Sequence, residues 1–234
     1  MKTKIQELLW PVTCPFCGKI NQNGVCLSCT KKVEALLIRG PRCLKCGKPV
    51  RYKEQEYCYD CTHIWHHYDR GISLWVHREP VSMSIYRFKY HNQRFYAGFY
   101  ASKIVQEHGV LIRKWNPQVI VPVPLYPKRR RKRGYNQAEI LAVEIGRILG
   151  ITVAKKMVER VQNTRPQKML DNRKRKQNLE RAFVVRTASL KLKSVLVIDD
   201  IYTTGATIDA VARVLKDVGV QKVYFLTISI GQGY

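Results

Sequence analysis

Short apolar runs and stretches with helical spacing alternate through most of the chain. Ile72–Val76, Gln118–Val123, Ser194–Ile198 and Lys222–Ile228 are brief apolar or β-branched runs, the mark of buried strands. Between them the spacing becomes helical. Pro80–Lys89 and Phe95–Glu107 predict helices, and Gly134–Leu149 groups Ile140, Leu141, Ile145, Ile148 and Leu149 before a stop at Gly150. Thr207–Val218 predicts another helix, ended by Gly219. Strand-helix alternation predicts an α/β domain with a mostly parallel sheet. No apolar run approaches the roughly 20 residues of a membrane span. Leu8, Leu9 and Trp10 are too short a stretch for a secretory signal, so a cytoplasmic protein is expected.

The periodicity is missing from the start of the chain, where a different chemistry stands. All eight cysteines of the 234 residues lie between Cys14 and Cys61. The shift predicts a small module over 1–67 and a larger domain over 68–234. Cys14-Pro-Phe-Cys17-Gly18 returns as Cys43-Leu-Lys-Cys46-Gly47, and each is followed by a second pair, Cys26/Cys29 and Cys58/Cys61. Each set of four thiolates suits a closed tetrahedral Zn²⁺ site. The expected role of two such zincs is folding energy, because thirty residues bury too little apolar surface alone. The repeat favours consecutive sites. Interleaved pairing of Cys14 and Cys17 with Cys43 and Cys46 stays open from spacing alone. Redox pairs and an iron–sulfur cluster are competing readings, but nothing thioredoxin-like surrounds the cysteines. His63, His66 and His67 follow closely, yet eight cysteines already complete two sites.

Charge narrows the partners. Lys plus Arg is 42 and Asp plus Glu is 17, a formal net charge of +25. Such an excess attracts polyanions. Two runs concentrate it: Lys128, Arg129, Arg130, Arg131, Lys132 and Arg133, then Arg173, Lys174, Arg175 and Lys176. Charge runs are commonly just solvated. Here both fall beside loops expected at one edge of the sheet, where a groove would attract a polyanionic strand. Tyr86, Phe88, Tyr90, Phe95, Tyr96, Phe99 and Tyr100 could stack bases, but their spacing assigns most of them to the core.

The most specific segment is Val195-Leu-Val-Ile-Asp199-Asp200-Ile-Tyr-Thr203-Thr204-Gly205-Ala206-Thr207. A buried strand ends in two carboxylates, and a loop of hydroxyls and glycine opens a helix. Backbone N–H groups and threonine hydroxyls there can hold a phosphate, while the carboxylates accept from a sugar diol. No lysine follows Gly205, so this is not a P-loop. A plain helix cap on a strand with solvated acids is the bland reading.

This segment resembles the phosphoribosyl-pyrophosphate (PRPP) motif of the type I phosphoribosyltransferases. Val121-Pro-Val-Pro-Leu125, Arg133-Gly-Tyr-Asn136-Gln137, and Thr164, Gln167, Leu170, Arg175 and Asn178 resemble the bacterial ComF/GntX family. That family includes competence proteins of DNA uptake, and its longer members carry a double zinc ribbon in front. The resemblance implies a type I phosphoribosyltransferase fold behind a zinc-ribbon module. It implies that Asp199 and Asp200 are the catalytic pair contacting ribose hydroxyls. Thr203, Thr204, Gly205, Ala206 and Thr207 would then wrap the 5′-phosphate, and Mg²⁺ would accompany pyrophosphate near Pro122–Pro124. Arg129, Arg130 and Arg133 are placed to meet pyrophosphate, and 164–178 falls where related enzymes have a flap. The implied function is DNA uptake, with single-stranded DNA and other competence or recombination proteins as partners. The alternative is a working Mg²⁺-dependent phosphoribosyltransferase of nucleotide metabolism, for which no acceptor motif is visible.

Overall fold

Along the chain run α1 (Leu27–Glu34), α2 (Tyr59–His63), β1 (Arg70–Val76), α3 (Val81–Tyr90), α4 (Tyr96–Trp115) and β2 (Val119–Pro122). They are followed by α5 (Pro127–Arg133), α6 (Gln137–Leu149), β3 (Val158–Arg160), β4 (Phe183–Val185), β5 (Ser194–Tyr202), α7 (Ala206–Asp217) and β6 (Lys222–Ile230). The structure is a computed structural model, and it describes residues 12–21, 24–162, 182–186 and 191–231.

Four strands form one sheet in the order β1-β6-β5-β2, and every neighbouring pair is parallel. β5 lies inside it because Val195, Leu196, Val197 and Ile198 are wholly buried, apolar on both faces. Helices cover both sides. Leu196, Ile198, Leu226 and Ile228 pack with α4 and α6, whereas Val195, Val197 and Phe225 pack with α7. Connections from β1, β2 and β5 therefore leave from the same edge of the sheet and enter α3, α5 and α7.

Local chemistry moved several expected boundaries. α4 continues past Glu107 because Ile112 and Trp115 keep its buried face, and it ends at Asn116 in the left-handed region. Trp115 stacks on Tyr224 at 4.6 Å. Gly134 does not open α6. With φ at +81° it caps α5, and Asn136 then caps α6 by accepting from Ala138 N. β3 and β4 form a small antiparallel sheet that the sequence pattern did not predict; three residues each carry too little periodicity. No helix among the described residues is long and apolar enough to cross a membrane.

Candidate functional site

The eight cysteines gather into two consecutive sets. The sulfurs of Cys14, Cys17, Cys26 and Cys29 lie within 4.8 Å of one another, and so do those of Cys43, Cys46, Cys58 and Cys61. The interleaved pairing is thereby excluded. A tetrahedron with Zn–S bonds of about 2.3 Å has sulfur–sulfur edges of about 3.8 Å. Cys17 and Cys26 stand 3.7 Å apart, and Cys46 and Cys58 3.6 Å, so both sets fit structural zinc. The knuckles are built alike. Cys14 N donates to Lys19 O and Gly18 N to Cys14 O; Cys43 N donates to Lys48 O and Gly47 N to Cys43 O. In each set the third cysteine caps a helix and the fourth lies in its first turn, near the positive end of the backbone dipoles. The nearby histidines face elsewhere. His67 donates its backbone N–H to Asp209 on α7 at 2.5 Å, and His66 Nδ1 lies 3.7 Å from the same carboxylate.

At the opposite end of the sequence, β5 delivers Asp199 and Asp200 to the edge where its parallel neighbours also end. Asp200 is buried and pairs with Lys89 of α3 at 2.7 Å. Asp199 accepts from Asp200 N at 2.8 Å. Burial, reinforced by the charge of Asp200, pushes the Asp199 carboxyl up to about 7. Arg160 on β3 acts in the other direction on Asp199. Its own guanidinium is pushed down to about 10 by burial and then by Arg129 of α5. Two acids and at least three cations thus converge from β5, α3, α5 and β3.

The loop after the acids has a built floor. Gly205 sits at φ +79°, and a Cβ there would strike the Tyr202 hydroxyl beneath it. Tyr202 is buried against Phe225, with parallel rings 4.9 Å apart, and shares a 2.7 Å hydrogen bond with Tyr68. Thr204 Oγ1 is buried with no hydrogen-bond partner among the described residues, a donor left for something else. Such a loop can hold an anion while the paired acids accept from vicinal hydroxyls.

Next to this edge lies an open cavity of about 500 Å³, lined among others by Pro124, Arg130, Arg131, Lys155, Lys156 and Arg160. The run from Lys128 to Arg133 forms helix α5, started by Pro127. Arg130 pairs with Glu139 at 3.1 Å, and Arg133 stacks over the Tyr90 ring at 4.8 Å. Arg173, Lys174, Arg175 and Lys176, with the rest of the expected flap, lie outside the described residues.

Comparison with known proteins matches these two architectures separately. Residues 5–62 match the double zinc ribbon domain, and residues 97–229 match the phosphoribosyl transferase domain. Competence protein F of Haemophilus influenzae is 32% identical over 214 residues, covering 87% of this chain and 89% of that one. The chain belongs to the ComF competence family. Competence protein ComFC of Streptococcus pneumoniae is a further relative, 28% identical over 78% of this chain and 76% of its own. DNA utilization protein YhgH of Salmonella typhimurium is 29% identical over 90% and 91%. Among solved structures, a purine phosphoribosyltransferase from Pyrococcus horikoshii Ot3 aligns with a TM-score of 0.37 and 19% identity, over 56% of this chain and 73% of that one. At that level it transfers no residue role.

The family's Arg133-Gly-Tyr-Asn-Gln137 segment acts here as a joint. The Tyr135 hydroxyl donates to Phe88 O, and Asn136 Nδ2 donates to Val123 O at 2.9 Å. It thus ties α3, the end of β2 and α6 together at the site. Sequence reasoning missed Lys89, Arg160, Lys155 and Lys156. Each is one of 42 cations, and only the fold brings Lys89 and Arg160 to the acids and Lys155 and Lys156 to the cavity beside them.

Proposed function

We propose that this ComF-family chain is a DNA-uptake factor that binds single-stranded DNA along its basic edge and binds PRPP with Mg²⁺ at the end of β5. The observation that carries the reading is the convergence of the Asp199–Asp200 pair, the loop 203–207 with its unpartnered Thr204 hydroxyl, and the cations of α5 and β3 at one strand edge. In this reading Asp199 and Asp200 accept from the ribose hydroxyls. Loop 203–207 holds the 5′-phosphate by backbone N–H groups and threonine hydroxyls. Mg²⁺ enters with the ligand and would balance pyrophosphate charge beside Pro122–Pro124. Arg129, Arg130 and Arg133 are the arginines expected to meet pyrophosphate, and Arg129 lies within electrostatic reach of Arg160. The division at 67/68 would then separate a zinc-stapled support from the binding domain.

The names of the relatives, competence and DNA utilization proteins, favour DNA as the macromolecular partner, together with other competence or recombination proteins. The intact acid pair supports a second reading, displacement of pyrophosphate by an unidentified acceptor.

The test is anisotropy of a labelled oligothymidylate over a salt series. Log affinity should fall steeply with log salt, and Lys128→Gln/Arg131→Gln/Lys132→Gln should flatten that slope by about 2, since each single-strand phosphate contact contributes about 0.7. Asp199→Asn/Asp200→Asn should leave strand binding intact. A slope that the triple variant does not change would remove α5 from the interface.

A further inference from the structure

The seven aromatics from Tyr86 to Tyr100 are not one set. Phe88, Tyr96 and Tyr100 are fully buried in the core, whereas Tyr86 is 50% and Tyr90 59% exposed. These two lie one turn apart on α3, with ring centroids 5.0 Å apart. The helix beneath them is fixed at several points. Ser84 Oγ meets the Tyr100 hydroxyl at 2.5 Å, Arg87 donates to Phe16 O at 2.9 Å, and Phe88 O accepts from Tyr135. The exposed rings contribute nothing to those anchors. They stand on an anchored helix with about half of their surface open to solvent.

Their surroundings are cationic. Arg133, the last residue of α5, covers Tyr90, and His91 lies 5.5 Å from Tyr86. No Asp or Glu occurs between Glu79 and Glu107, whereas Arg87, Lys89, Arg94 and Lys103 do. The basic helix α5 therefore runs directly into an aromatic pair. Lys89, one residue before Tyr90, reaches Asp200. A track of cations ending in exposed rings is the physical signature of a single-stranded nucleic-acid path, because stacking needs bases free of a duplex.

We propose that Tyr86 and Tyr90 form a base-stacking platform for single-stranded DNA, continuous with α5 and opening toward the acid pair. This rests on the reading that the chain binds single strands, and adds where their bases are held. Phosphates would follow α5 while successive bases lie on the two rings. The platform supplies affinity that does not depend on salt, whereas α5 supplies the part that does. It also makes the protein discriminate a strand with bases from a bare sugar-phosphate chain.

The probe is an oligothymidylate against an abasic strand of the same length, both labelled, with wild type, Tyr86→Ala/Tyr90→Ala and Tyr86→Phe/Tyr90→Phe. Zinc content and Tm of the variants report folding. Wild type should prefer the base-bearing strand by roughly 10- to 100-fold. The alanine variant should lose that preference and keep its affinity for the abasic strand, and the phenylalanine variant should retain the preference. Equal binding of both strands by wild type would overturn the platform without touching strand binding by α5. So would an alanine variant that keeps the preference. No binding of either strand by wild type would overturn the platform together with the single-strand reading it rests on.

Discussion

The two cysteine knuckles are copies in sequence and backbone, yet they serve opposite faces of the sheet. Gly18 and Gly47 adopt φ of +78° and +77° at equivalent positions. The residue two places earlier differs: Phe16 in the first knuckle, Lys45 in the second. Phe16 is buried in the core that contains α3 and α4, edge-on to Trp75 at 5.8 Å and to Phe99 at 5.7 Å. The second knuckle joins the core around α7, with Cys43, Cys46 and Cys58 beside Tyr68 and Tyr202. Lys45 O accepts from Gly71 N at 2.8 Å, and Lys45 Nζ lies 5.4 Å over the Tyr68 ring. Burial raises the Tyr202 phenol well above its usual range, and the nearby sulfurs of Cys46, Cys61 and Cys58 add to it. One zinc site thus steadies α3, which carries Lys89, Tyr86 and Tyr90. The other lies under the Tyr68–Tyr202 pair that floors the loop at Gly205. A duplicated motif has been split between two jobs by what its neighbours bury.

Removing one ligand from each knuckle separates the jobs most sharply. Cys46→Ser should cost one zinc equivalent and abolish PRPP binding, because the loop loses its floor. Cys17→Ser should also cost one zinc, but PRPP binding should survive and preference for base-bearing strands should fall. Zinc analysis with calorimetry reads both. Equal loss of PRPP binding in the two variants would break the comparison.

The equivalent side chains differ next. Phe16→Ala should destabilise by about 3–5 kcal/mol, as large aromatic truncations in cores do. Lys45→Ala should cost about 0.5–1 kcal/mol, the scale of one exposed cation–π contact. Urea unfolding measures both.

The paired glycines are finer. Alanine at either position meets left-handed strain of about 1–2 kcal/mol. At Gly47 its Cβ would also lie 2.7 Å from Gly71 O, whereas at Gly18 it meets only the Arg87 guanidinium at 3.5 Å. Gly47→Ala should therefore cost about 1–3 kcal/mol more than Gly18→Ala.

The remaining effect is electrostatic and has a definite sign. Burial and the Asp200 charge push the Asp199 carboxyl up to about 7 in the folded protein, against about 3.9 for the unfolded chain, so the folded state holds its proton longer. Stability from this group falls as pH rises from about 4 to 7, and the cost is fully present above 7. Asp199→Asn should raise Tm at pH 8, by about 2–4 °C for each kcal/mol relieved, and leave Tm at pH 4 unchanged. The same variant should bind PRPP worse, the trade expected where a site stores unfavourable charge.

Much of this was legible in the chain. The strands Ser194–Ile198 and Lys222–Ile228 were visible because burial on both faces demands unbroken apolar runs. The zinc ligands were visible because four pairs of thiols, each three positions apart, have few other uses. Pairing was not, since spacing permits either arrangement until the knuckles bury different neighbours. The Lys128–Arg133 run reads as loose charge, yet Pro127 and Gly134 make it a helix. Lys89 and Arg160 were invisible because their meaning lies in an ion pair with Asp200 and an electrostatic pull on Asp199, far along the sequence. Tyr86 and Tyr90 were hidden among core aromatics of similar spacing; their exposure, their mutual packing and the Arg133 contact set them apart.

Everything proposed for the acid pair depends on the end of β5 being a PRPP site. Calorimetric titration of zinc-loaded protein with PRPP and Mg²⁺, beside Asp199→Asn/Asp200→Asn, tests it most directly. Saturable binding by wild type is expected, dependent on Mg²⁺ and lost in the variant. A folded, zinc-replete wild type that releases no binding heat, or a variant that binds as well as wild type, would contradict it.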